Sequence, residues 1–251
     1  MPNSTRTMEV MTMRQQRLLL AMLLVTLLGS VTVAQTGRED ARDAIRRGNE
    51  KYAKAEYELA IEEYRRVLPS AGETYAQSLH NIGVCYYELW RTDEAVVYYR
   101  RAIEAREGRY PMALYSLGVA LKDLRRWPEA KEAFQQSIAT SGGKYAPAHY
   151  MLGLLLMNEG DDETAATLFR EAIARSKDRF PASHNNLGVA LARMGRLPEA
   201  KREFAAALRQ ADGEFAEATH NLKLCRSLLA SPAKAQLASL KTVETTVRRL
   251  H

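Results

Sequence analysis

The chain has 251 residues, 46% of them hydrophobic and 26% charged, with a formal net charge of +6. That balance is the balance of a folded chain and excludes a disordered or fibrous one. The first 34 residues hold Arg6, Arg14 and Arg17 against Glu9, so the remainder carries only +4, and its charges alternate in sign (Glu62, Glu63, Arg65, Arg66; Lys131, Glu132; Arg170, Glu171), the pattern of solvated helix faces and not of a nucleic-acid-binding patch.

In chain order the first element is a secretory signal over residues 1–34. Arg14 and Arg17 precede an uninterrupted apolar run at 18–28, Gly29 and Ser30 break it, and Thr32-Val33-Ala34 supplies the small-residue ending, with cleavage expected after Ala34. The alternative is an uncleaved anchor, since residues 18–34 reach the lower limit of a membrane span. Either way the remainder is exported, to a periplasm or outside the cell, and the membrane is met only through this segment. Residues 35–40 form a short polar linker.

From residue 41 the chain repeats itself. Gly48, Gly83, Gly118, Gly153 and Gly188 stand 35 residues apart. With that glycine as position 8, units begin at Ala41, Ala76, Pro111, Ala146 and Pro181, and a sixth at Ala216. Position 20 is Ala60, Ala95, Ala130, Ala165 and Ala200; position 24 is Tyr64, Tyr99, Phe134, Phe169 and Phe204; position 28 is Leu68, Ile103, Ile138, Ile173 and Leu208. The 20-24-28 spacing lies on one stripe of a helix, and positions 4, 7, 8 and 11 on one stripe of the helix before it. Gly160 and Gly195 fall where a left-handed C-cap separates the two, Pro128 and Pro198 open the second helix, and Thr92-Asp93-Glu94 supplies capping groups. A fixed period of this size means stacked helix pairs, with small residues at 8 and 20 for close approach and the aromatic at 24 filling the wedge against the next pair. Tyr75, Tyr110, Tyr145, Phe180 and Phe215 precede the first helices. They read as plugs in the joints between units, the alternative being a basic-aromatic strip with Arg109, Lys144 and Arg179.

This frame resembles the tetratricopeptide repeat family over residues 41–230, with a period of 35 in place of the usual 34 and no proline at position 32. The resemblance implies an all-α, right-handed superhelical solenoid of antiparallel helix pairs, about five units plus a degenerate sixth. In that last unit Lys223 replaces glycine and Ser239 the aromatic. Residues 231–251 are expected to form a capping helix, with Leu237, Leu240, Val243, Val247 and Leu250 along one face of 233–250. A monomer is favoured; pairing of that stripe with a second copy, or assembly through the convex face, is the alternative.

No catalytic set, phosphate loop or metal-ligand spacing is present, and no cofactor is expected. His149 and His184 fall at position 4, His80 and His220 at position 5, so the repeat frame itself accounts for their recurrence. Cys85 and Cys225 lie four units apart, too far for a bridge that needs Cα atoms within about 7 Å, and read as buried thiols. The resemblance places partner binding on the concave face of the first helices. Asn49, Asn81, Asn186 and Asn221 stand where peptide-binding members hold the backbone of an extended ligand, because an amide offers a donor and an acceptor to a peptide unit of any sequence. His80, Tyr87, Tyr115, Tyr150, Asn185 and His220 add flat, partly polar surface. The bland alternative is that the asparagines bond only to neighbouring helices. The two-carboxylate clamp of chaperone-binding members is not matched, since Ile45, Met112 and Ser116 replace its basic residues. The expected function is a non-enzymatic interaction scaffold for a protein or an extended peptide, with no nucleic acid.

Overall fold

The computed structural model describes residues 39–177, 179–230 and 234–244. The expected signal at 1–34, most of the linker and residues 245–251 lie outside them.

The described residues are helical throughout the repeat region and contain no strand. Helix α1 (39–53) pairs with α2 (Tyr57–Tyr64), α3 (Glu73–Glu88) with α4 (Thr92–Glu104), and α5 (Pro111–Asp123) with α6 (Trp127–Thr140). Next come α7 (Ala146–Asn158) with α8 (Asp162–Arg175) and α9 (Pro181–Arg193) with α10 (Leu197–Gln210), while α11 (Ala216–Ala230) has no second α-helix after it among the described residues. Each helix packs chiefly on its neighbours in sequence, which is the topology of a solenoid.

The glycine frame has a direct physical cause. A Cβ built at Gly118 would lie 2.6 Å from Phe134 Cε1, and at Gly188 2.6 Å from Phe204 Cε1. The position-24 ring therefore rests on the glycine of its own unit, instead of filling a wedge against the next pair as the sequence suggested. The position-20 alanines, all 0% exposed, complete the close approach. The joints between units are filled by the aromatics before each first helix. Tyr110 packs on His80, Tyr145 on Tyr115 and Phe180 on Tyr150, with ring centroids 5.6, 5.5 and 4.7 Å apart. Tyr110 is buried, so the joint and not a surface strip is its place.

The turn inside each unit needs one left-handed residue. Gly160 and Gly195 supply it with φ of 89° and 79°, but Ala55, Trp90 and Arg125 hold the same place with φ of 58°, 61° and 59°. Asp161 caps α8 by accepting from Thr164 N–H at 3.0 Å. In α4 the expected capping role of Thr92 is not taken up: Thr92 is the first helical residue and Arg91 the cap position. Leu68 also departs from the frame and is exposed, because α2 ends at Tyr64 and Leu68, preceding Pro69, is held extended.

The largest departure is at the C-terminus. Residues 234–239 form a 3-10 turn and 240–244 are non-helical, where a capping helix over 233–250 was expected. A second helix in the sixth unit would lack both halves of the keystone contact, since Lys223 stands for glycine and Ser239 for the ring. Thr242 and Val243 are β-branched and favour extended backbone.

Candidate functional site

Residues 240–244 cross the first helices of the array, held by the polar residues at positions 5 and 6. Lys241 N–H donates to Asn221 Oδ1 at 2.8 Å, and Lys241 C=O accepts from Asn221 Nδ2 at 2.7 Å and Asn185 Nδ2 at 3.0 Å. Two residues on, Val243 N–H donates to Asn186 Oδ1 at 2.9 Å, and Val243 C=O accepts from Asn186 Nδ2 at 2.7 Å and from the Tyr150 hydroxyl. One amide thus grips both polar groups of one residue, as an antiparallel partner strand would. Residues 241 and 243 both turn their polar groups to the array, the alternation of an extended chain.

The amides also order one another. Asn221 Nδ2 donates to Asn185 Oδ1 at 2.9 Å, Asn185 Nδ2 to Asn186 Oδ1 at 3.2 Å, and Asn186 Nδ2 to Tyr150 Oη at 3.1 Å. All three asparagines are 0% exposed under the tail. Such a network fixes which end of each amide faces the chain lying on it. Two residues of extended chain advance about 6.8 Å, close to the step of about 8–10 Å between packed helices, so successive units can grip alternate residues.

The tail is anchored on either side of these clamps. His220 Nε2 donates to Ser239 C=O at 3.0 Å, which fixes the proton on Nε2. Leu240 is buried, and Leu237 and Val243 pack against the same core. Glu244 pairs with Lys122, whose ammonium also meets Asp123 Oδ1 at 3.0 Å. Burial alone would lower the Lys122 pKa; the bonds to Glu244 and Asp123 outweigh it and hold the group above its ordinary value. Since Lys241 lies at units five and six, Val243 at four and five and Glu244 at unit three, the tail runs against the order of the units.

The ten residues picked from the sequence divide cleanly. Tyr150, Asn185, Asn186, His220 and Asn221 come together on the tail. Asn49 and Asn81 do not: Asn49 Oδ1 accepts from the Tyr64 hydroxyl at 2.7 Å and from Asn81 Nδ2 at 3.5 Å, contacts between neighbouring helices. The Tyr87 hydroxyl donates to Asp123. His80 and Tyr115 are enclosed, each ring lying between the position-24 ring of its own unit and the joint aromatic of the next. Lys122 was missed; it stands at position 12, a groove position, but only the tail's path brings a carboxylate to it. The position-4 histidines serve the scaffold: His149 Nε2 donates to Gly143 C=O at 3.0 Å and His184 Nδ1 meets Glu203 Oε2 at 2.8 Å. Cys85 and Cys225 are buried, and burial pushes the Cys85 thiol up to about 12.

Family models of the tetratricopeptide repeat match residues 115–184 and 76–108, within the stacked pairs. The matched units are tetratricopeptide repeats. Among solved structures this tetratricopeptide repeat array is similar to MamA, at 25% identity and a TM-score of 0.57, over 70% of this chain and 97% of that one. It is also similar to YrrB, described as a tetratricopeptide repeat protein with an unusual peptide-binding site, at 23% identity, TM-score 0.54, and 65% and 83% of the two chains. PilF of Pseudomonas aeruginosa shares the fold at 16% identity and TM-score 0.61, over 81% and 97%. No curated protein matches the chain. Arrays of this family are in general non-enzymatic, and the likeness supports a protein–protein interaction scaffold as the class of function.

Proposed function

We propose that the array holds an extended segment of a partner protein in the groove of its first helices, through backbone clamping by Asn185, Asn186 and Asn221 with Tyr150 and His220 beside them. The observation that carries this reading is the double grip on Lys241 and on Val243: the groove already binds extended backbone, and does so without reference to side chains. Buried amides that meet a peptide on both its polar groups have no use inside a closed helical core, where the backbone is already satisfied. The scaffold acts in an exported setting, on the strength of the basic, apolar and small-residue sequence of residues 1–34. Assembly through an apolar C-terminal helix is the weaker reading, because Leu237, Leu240 and Val243 are taken up by the chain's own array. The test is proximity labelling with mass spectrometry on the chain in its native host, beside the Asn186→Ala/Asn221→Ala variant. Partners lost from the variant alone support the groove; the same partners in both would refute it. Cell fractionation and N-terminal sequencing test export and cleavage after Ala34.

A further inference from the structure

The clamps leave a choice of side chain at each step of the bound segment, and the tail reveals that choice. Leu240 is buried, Val243 is partly buried against the core, and Lys241 and Thr242 are exposed. Glu244 lies on Lys122, whose side chain is 13% exposed. Floor contacts to Lys241 and Val243 are blind to sequence; apolar contact at the first and fourth residues and charge at the fifth are not. We propose that the groove over units three to six recognises an extended segment of the form aliphatic–any–any–aliphatic–acidic, laid against the order of the units, and that residues 240–244 are a resident copy which such a partner must displace. This rests on the peptide-groove reading above and goes beyond it by naming the ligand pattern and the occupant.

Three features of the molecule converge on it. Among the described residues the sixth unit has no second α-helix to hold the chain away from the groove. The tail leaves α11 at residue 230 and reaches its first clamp at 241, a linker short enough to keep the segment near its site. The asparagine side chains are fully enclosed with the tail lying on them. A segment tethered this closely acts at an effective concentration on the order of 1 mM. Against a free peptide of Kd about 0.1 mM, it suppresses binding by about tenfold.

The test uses the full chain and a fluorescent peptide of residues 237–247, read by anisotropy. Lys241→Pro with Val243→Pro removes both tail N–H donors outside any α-helix, and circular dichroism verifies that the array is retained. The proline variant is expected to bind the peptide at least about tenfold tighter than the native chain. The peptide carrying Glu244→Lys, or Leu240→Ser with Val243→Ser, is expected to bind it at least about fivefold more weakly. Adding Asn186→Ala and Asn221→Ala to the proline variant should abolish binding. Equal affinity for the native chain and the proline variant would overturn the resident tail. Absence of peptide binding, or indifference to the peptide substitutions, would overturn the pattern while leaving the groove reading to the partner-labelling experiment. Peptide binding that survives loss of the asparagines would overturn both. A native mass that rises with concentration and falls to monomer in the proline variant would place the tail in a second copy and overturn its role as a resident of its own groove.

Discussion

Gly118→Ala is the sharpest probe of the keystone contact. The added Cβ would stand 2.6, 2.7 and 2.9 Å from Phe134 Cε1, Cδ1 and Cζ, where ordinary contact begins at 3.4 Å. The ring must therefore withdraw by about 0.8 Å, and it is fully buried, with Tyr115 at 5.9 Å between centroids. Overpacking of this kind costs about 1–3 kcal/mol. Alanine returns about 1 kcal/mol of helix propensity over glycine. The net expectation is a loss of about 1 kcal/mol, or about 3 °C in Tm for an array of this length. Gly153→Ala is the internal control, since its Cβ would meet Phe169 at 2.9, 3.1 and 3.2 Å. The smaller displacement should let propensity and packing nearly cancel. Paired thermal and urea unfolding by circular dichroism reads both. The reasoning fails if Gly118→Ala melts at or above the native chain, or if Gly153→Ala is the more damaging of the two.

Asn186→Ala removes both bonds to Val243, about 2 kcal/mol on typical values, so amide exchange at 241 and 243 should accelerate about thirtyfold in hydrogen-exchange mass spectrometry, while exchange within α5 and α6 stays unchanged. Tyr110→Ala empties the joint between the second and third units and should lower stability by about 3 kcal/mol; a native melting curve would return Tyr110 to a surface role. The Cys85 thiol, raised to about 12 by burial, stays protonated at pH 8, so iodoacetamide should leave it unmodified until the array is unfolded by urea. Labelling of the folded chain at the rate of a free thiol would contradict its burial.

The repeat region was legible because its signals are local and recur. Glycine at 8, alanine at 20 and a ring at 24 answer one packing problem five times, and the helix-opening prolines mark the unit boundaries independently. The C-terminal segment was misread because Leu237, Leu240 and Val243 have helical spacing, yet what decides their structure is a missing partner: Lys223 and Ser239 cannot make the contact that closes a helix pair. The β-branched Thr242 and Val243 were the available sign. Of the candidate site, the asparagines at units five and six were legible because positions 5 and 6 face the groove. His80, Tyr115 and Tyr150 are equivalent by position, and all three rings are enclosed by the aromatics on either side of them. The Tyr150 hydroxyl meets the bound segment at Val243 C=O, a contact that depends on the tail's path and leaves no trace in the periodicity.

The left-handed turn residues divide the array into two mechanical halves. Ala55, Trp90 and Arg125 carry this conformation in the first three units without glycine's freedom, at a cost of roughly 1 kcal/mol each. Gly160 and Gly195 carry it without strain inside the fourth and fifth, which keep one such non-glycine residue each, Lys177 and Asp212, in the turns that follow them, against four in the first three units once Glu107 is counted. In a linear array, where stability is a sum of units and neighbouring interfaces, that difference sets a gradient. Unravelling under heat or pulling force should begin at the N-terminal end and stop short of the units that hold the tail. The end joined to residues 1–38 is thus the compliant one, and the clamps sit on the stiff one.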